Sequence, residues 1–164
     1  MERQKPILGK HLPTDRERVR DAYIALLAQF PDYLLTLATN QSGMSADEFR
    51  QKVRDFHRLL DRKLLGPRFY TKSVHERTDG VMCIEHVQSN IHGHAAIRFA
   101  SKRSPAKLSA LCKAIWRDVC PSGSADLQIR HGGSSGAGYA TKEMLRRGFD
   151  DLSQTLILST FVSR

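Results

Sequence analysis

The side chains best placed to do chemistry lie between Glu85 and Phe99, in EHVQSNIHGHAAIRF. His92 and His94 are one residue apart, and alternation along a strand puts both imidazoles on one face. A hairpin with a tight two-residue turn at Gln88-Ser89 would set Glu85 directly across from His92, on that same face. One carboxylate and two imidazoles then converge, a donor set suited to a divalent cation that keeps positions open for substrate. The competing reading is a polar strand surface, and a one-residue slip of the hairpin would send Glu85 to the wrong face. His86, next to Glu85, is expected to point away and is given no role.

A second pair lies downstream. Tyr139 and Lys142, in GYATKEM, are three residues apart and share a face if they open a helix. A phenol with its ordinary pKa near 10 is a poor nucleophile at neutral pH. A neighbouring ammonium and a substrate polarised by a metal ion would remedy that, and the reaction so enabled is attack of a tyrosine oxygen on a phosphodiester. Taken alone, Tyr-x-x-Lys is as readily an ordinary helix surface.

The elements that must position these groups can be read from pattern. Thr14-x-x-Glu17 and Ser45-x-x-Glu48 have capping-box spacing and open two amphipathic helices, the second running to Gly66-Pro67 with Phe49, Val53, Phe56, Leu59 and Leu60 inward. Tyr33 to Asn40 reads as a buried strand with a polar tip at Thr39-Asn40, and Arg68 to Val74 as another strand. Residues 81–87 and 91–100 form the hairpin, with Ile91, Ile97 and Phe99 as its core stripe. Ser104-Pro105 starts a helix carrying Leu108, Cys112, Ile115 and a core Trp116. Ala125 to His131 is a short strand, residues 132–138 a Gly-rich loop without P-loop spacing, and Thr155 to Val162 a closing strand. The expected fold is α+β: a ferredoxin-like or RRM-like antiparallel sheet with helices packed on one face.

The 164 residues fit a single domain, with a helical extension at about 13–31 and a core at about 33–162. With 26 Lys and Arg against 17 Asp and Glu, the net charge of +9 favours a polyanionic partner, nucleic acid first. Eight Lys and Arg against two acidic residues fall between Arg50 and Lys72. Arg50, Arg54, Arg58, Arg62, Lys63, Arg68 and Lys72 could track phosphates there, with Phe69 and Tyr70 stacking on bases; a solvated helix face is the alternative. Cys83, Cys112 and Cys120 are an odd count without paired spacing, as in a reducing compartment. No apolar run approaches a membrane span, and MERQKPILGK does not read as a signal peptide.

Jointly these stretches resemble the HUH endonucleases, in particular the single-tyrosine rolling-circle replication initiators. YLLTLATN, EHVQSNIHGH and GYATKEM look like that family's three motifs, in its order, across roughly Tyr33 to Val162. One departure is Gly93, where the family favours a bulky hydrophobic residue. The resemblance implies Glu85, His92 and His94 as ligands of Mg²⁺ or Mn²⁺, with Zn²⁺ also acceptable to two imidazoles. It implies Tyr139 as nucleophile with Lys142 as its electrostatic helper, a 5′-phosphotyrosine intermediate and a free 3′-OH. The implied partners are single-stranded DNA at a replication origin, linear or hairpin, a host helicase and polymerase, and a second protomer in a homodimer. The implied setting is the cytoplasm of a bacterial or archaeal host carrying a plasmid, phage or virus. Glu143 stands where a second tyrosine would be, so a water-activating role for Glu143 is one way to finish a round. The alternatives are a single-tyrosine HUH transposase and a non-catalytic ferredoxin-like nucleic-acid-binding module.

Overall fold

Both sequence-read capping boxes close in the computed structural model, which describes residues 14–30, 32–130, 140–145 and 154–161. The Thr14 backbone N–H donates to Glu17 at 2.6 Å and starts α1 (Asp15–Leu27). The Ser45 backbone N–H donates to Glu48 at 2.8 Å and starts α2 (Ala46–Leu65). These reciprocal bonds satisfy donors that a helix start otherwise leaves bare. Gly66 ends α2 at φ +89°, a backbone conformation that costs glycine little.

Five strands form one antiparallel sheet in the order β4-β1-β3-β2-β5. They are β1 (Tyr33–Ala38), β2 (Asp79–Glu85), β3 (His92–Arg98), β4 (Ser124–Ile129) and β5 (Thr155–Ile157), with α3 (Pro105–Val119) between β3 and β4. This is the expected α+β arrangement: a β-α-β-β-α-β unit in which β1 and β2 flank β3, with β5 added at the free edge of β2.

One face carries the main core. Phe49, Val53, Phe56 and Leu60 of α2 and Leu108, Cys112, Ile115 and Trp116 of α3 pack on Leu35, Leu37, Ala95 and Ile97. The expected stripe of Ile91, Ile97 and Phe99 lies in this cluster, as does Trp116, whose indole N–H donates to Ala38 O at 2.8 Å. Gly93 faces the same core. A Cβ built on it would stand 2.6 Å from Met82 Sδ and 3.2 Å from Phe49, so those two side chains occupy the volume that a bulky residue would need. Gly93→Val should overpack this layer and cost about 1–3 kcal/mol in denaturant unfolding. Combining it with Met82→Ala should recover at least half of that loss.

The other face differs from expectation, since helices do not keep to one side. α1 covers Leu34, Val81 and Ala96 through Tyr23, Ile24 and Leu27. The cause lies in the strands: register puts Leu34, Ala96 and Val81 in one row on the histidine face, apolar surface that would otherwise meet water. α1 also packs on the Lys142–Leu145 turn, so it braces the segment that carries Lys142.

Residues 68–74 form no strand. Phe69–Thr71 and Val74–Glu76 are 3₁₀ turns, the latter closed by a third capping box in which the Ser73 N–H donates to Glu76 at 3.0 Å. The Pro67 break and this Ser73-x-x-Glu76 signal override the local β propensity. The closing strand is shorter than expected, passing at Leu158 into another 3₁₀ turn. Of the helix expected from Tyr139, the described part is Ala140 in helical conformation, a turn at Thr141 and a 3₁₀ turn at Lys142–Leu145. Tyr139, the Gly-rich loop and the side chain of Glu143 lie outside the described residues. Among the described residues no helix is long and apolar enough to cross a membrane, and all three cysteines are free and buried.

Candidate metal centre

Glu85 pairs with His92 in the β2–β3 ladder, and Ala38 completes the row; the next row is Thr36, His94, Cys83 and Thr155. The pairing is centred at Gln88-Ser89 as expected. The tight two-residue turn is not formed: the ladder stops at Glu85 and His92, and residues 86–91 make a wider loop. Glu85 is fully buried at the head of that ladder. His92 Nε2 lies 3.4 Å, His94 Nε2 3.6 Å and Lys142 Nζ 2.9 Å from the same oxygen, Glu85 Oε2. These are close charge contacts: among the described residues neither Oε1 nor Oε2 has a partner at full hydrogen-bond geometry.

His86 corrects the reading of the hairpin. The strand ends before it, and a left-handed backbone (φ +54°) turns it back, an uncommon conformation for a non-glycine residue. Its ring stacks on His92 with centroids 5.0 Å apart and planes 21° from parallel. Donor atoms of Glu85, His86 and His92 all lie within 4.8 Å of one another, so this cluster can hold a metal ion. Strand alternation cannot foresee this, because it ceases to apply at the first loop residue.

Thr36 is a further participant, for which sequence supplied no role. Its Oγ1 lies 2.9 Å from His94 Nδ1. With Nδ1 engaged there, His94 turns Nε2 toward Glu85, and donation from Nδ1–H to the hydroxyl would leave the Nε2 lone pair for a cation. Thr36→Val should therefore weaken Mn²⁺ binding about 10- to 100-fold by calorimetric titration, without moving the fold.

Protonation follows from packing. Burial raises the Glu85 carboxyl, but the close nitrogens of His92 and Lys142 and the charges of His94 and Lys142 outweigh it and hold it below its usual range. The Glu85 carboxylate, 3.4 Å away, raises His92. Burial pulls His94 down to about 4, so it is neutral at pH 7 with a lone pair to offer. Burial, then Glu85, pushes Cys83 up to about 12, which makes this neighbouring thiol inert.

His94 gives the metal-free protein a defined acid response. Its folded pKa lies below the unfolded value near 6.5, so the unfolded chain binds more protons in between, and stability falls as pH drops from about 6.5 to about 4. The limb should be worth up to about 3 kcal/mol in urea unfolding. His94→Gln should flatten it. His92, shifted the other way, loses its contribution only as pH rises through its raised value.

The basic stretch stands elsewhere. α2 packs on the face opposite the histidines, so Arg50, Arg54, Arg58, Arg62 and Lys63 are across the sheet from Glu85. Arg54 lies over the Phe161 ring at 5.4 Å, Arg58 faces Asp55 at 3.8 Å, and Lys72 pairs with Glu76 at 3.4 Å. Tyr70 and Arg68 are exposed, but Phe69 is buried and has no free face for a base. The polar tip of β1 is structural: Thr39 Oγ1 donates to Ile91 O at 3.0 Å, and Asn40 (φ +55°) bonds Ser122 O at 3.2 Å.

No family model matches the chain, and neither a curated protein nor a solved structure matches it.

Proposed function

We propose that the chain is a metal-dependent nicking and joining enzyme for single-stranded DNA, an HUH endonuclease of the single-tyrosine replication-initiator kind. The observation that carries this is the convergence of two imidazoles from β3 and an ammonium from the Lys142–Leu145 turn within 3.6 Å of one buried carboxylate oxygen of β2. Glu85, His92 and His94 would hold the cation, with His86 within reach as a further nitrogen donor. The nitrogen-rich set favours Mn²⁺ over Mg²⁺. When bound, such a cation supplies Lewis acidity toward a nonbridging oxygen of the scissile phosphate.

The remaining roles belong to the chain. Glu85 stays ionised at neutral pH, and His94 stays neutral and oriented by Thr36. Lys142 rests on Glu85 at 2.9 Å, and its ammonium would be the positive group available to lower the cost of a phenolate at Tyr139. Ala140 is buried in the cluster that α1 covers, and Thr141 beside it is buried as well. Transfer of the phosphodiester to the Tyr139 oxygen would leave a free 3′-OH and retain the bond energy for rejoining. The charge of +9 fits the substrate class.

The test is nicking of circular single-stranded DNA with Mn²⁺, followed on denaturing gels. Linear product that disappears with EDTA is expected. Tight binding of the circle with no product in Mn²⁺, Mg²⁺ or Zn²⁺ would leave a non-catalytic binding module instead.

A further inference from the structure

At the end of the sheet farthest from the histidines, a cavity of about 900 Å³ opens between Tyr33, Phe99 and the α3 entry. Lys72, Arg98, Lys102, Arg103 and Arg130 line it, against the carboxylates Asp32 and Glu76 alone. Glu76 is taken by Lys72 at 3.4 Å. Among the described residues, Arg98, Lys102, Arg103 and Arg130 form no ion pair. Three of the four donate to main-chain carbonyls: Arg98 to His75 O at 3.1 Å, Arg130 to Phe30 O at 2.9 Å and Leu27 O at 3.2 Å, and Arg103, at the longer distance of 3.5 Å, to Lys63 O. Carbonyls orient a guanidinium without cancelling its charge. Four like charges gathered in one concave space repel one another and focus a positive potential into it. The adjoining first turn of α3 has no acidic residue to offset this field.

We propose that this cavity binds the phosphate backbone of a nucleic acid, at a place separate from the metal cluster; the inference rests on the nucleic-acid reading above. β3 runs six residue steps from His92 to Arg98, about 20 Å at the usual strand rise. A duplex rises 3.4 Å per base pair, so the contacted phosphates lie about six steps from the cut. The occupant is a flanking stem or duplex arm. The cut phosphodiester itself stays at the other end of the sheet.

The experiment is fluorescence anisotropy in EDTA, comparing the unaltered chain with the double variant Lys102→Glu, Arg103→Glu, whose two side chains are exposed and outside the core. The probes are a short single-stranded oligonucleotide and the same oligonucleotide carrying a ten-base-pair stem. The unaltered chain should bind the stem-bearing probe at least about 10-fold more tightly, and the variant should lose that gain. Its salt slope should shrink by about two, while the short probe is unaffected and the melting temperature holds. Equal weakening on both probes, or no weakening on either, would overturn the assignment, as would a stem gain retained by the variant. Neither metal nor cleavage enters this readout, so a failed nicking assay and a failed stem contact are separately visible.

Discussion

Glu85→Gln is expected to lower affinity for Mn²⁺ by at least about 100-fold and to abolish nicking, the largest functional effect of any single change. Second-sphere partners of metal ligands are already worth 10- to 100-fold, and Glu85 is the carboxylate on which His92, His94 and Lys142 all converge. The amide keeps the volume in a fully buried position but removes the charge that those nitrogens surround. A thermal melt reads the result without any substrate. Saturating Mn²⁺ should raise the melting temperature of the unaltered chain by linkage and leave the variant unmoved. An equal rise in both would show that the cation sits elsewhere.

The largest expected loss of stability lies on the other side of the sheet. Asp61 is fully buried, its Oδ1 accepting the Thr78 N–H at 3.0 Å and its Oδ2 lying 3.6 Å from Arg77 Nε. His57, one helical turn back, donates from Nε2 to Thr78 O at 2.7 Å, since a carbonyl can only accept. The group clamps the C-terminal half of α2 to the chain entering β2, where the hairpin takes its register. Asp61→Ala leaves the nearly inaccessible Arg77 charge without its counter-ion and should cost about 3–5 kcal/mol. Urea unfolding measures it, and a loss below about 1 kcal/mol would refute the clamp. Asp61→Asn, which keeps an acceptor for Thr78, separates the charge from the hydrogen bond.

Much of this arrangement was legible in the residues, and the exceptions share a cause. The β2–β3 pairing was readable because Ile91, Ile97 and Phe99 alternate with His92 and His94, so a single register buries the first set and gathers the second. Helices α1 and α2 announced themselves through reciprocal capping signals, and α3 through Ser104-Pro105. Propensity failed at Arg68 to Val74, where β-prone residues follow a proline break and a capping box takes over. Alternation failed at His86, where the chain leaves the strand. The placement of α1 was hidden because its partners, Leu34, Val81 and Ala96, sit in three different strands. The buried ion cluster did leave a trace: His57 and Asp61 fall at helical spacing within the inner stripe of Val53, Phe56 and Leu60, where a solvated pair has no place. The basic run showed its composition but not its direction, because charge along a helix does not say which sheet face that helix covers.

The most direct measurement is mass spectrometry of the protein after incubation with single-stranded DNA and Mn²⁺, with nuclease trimming and peptide mapping. A nucleotide attached through a 5′-phosphate to Tyr139, present only with metal and absent in Tyr139→Phe, is the result expected. DNA cut with no attached nucleotide, or with one attached to another side chain, would contradict the tyrosine transfer on which the proposed activity depends.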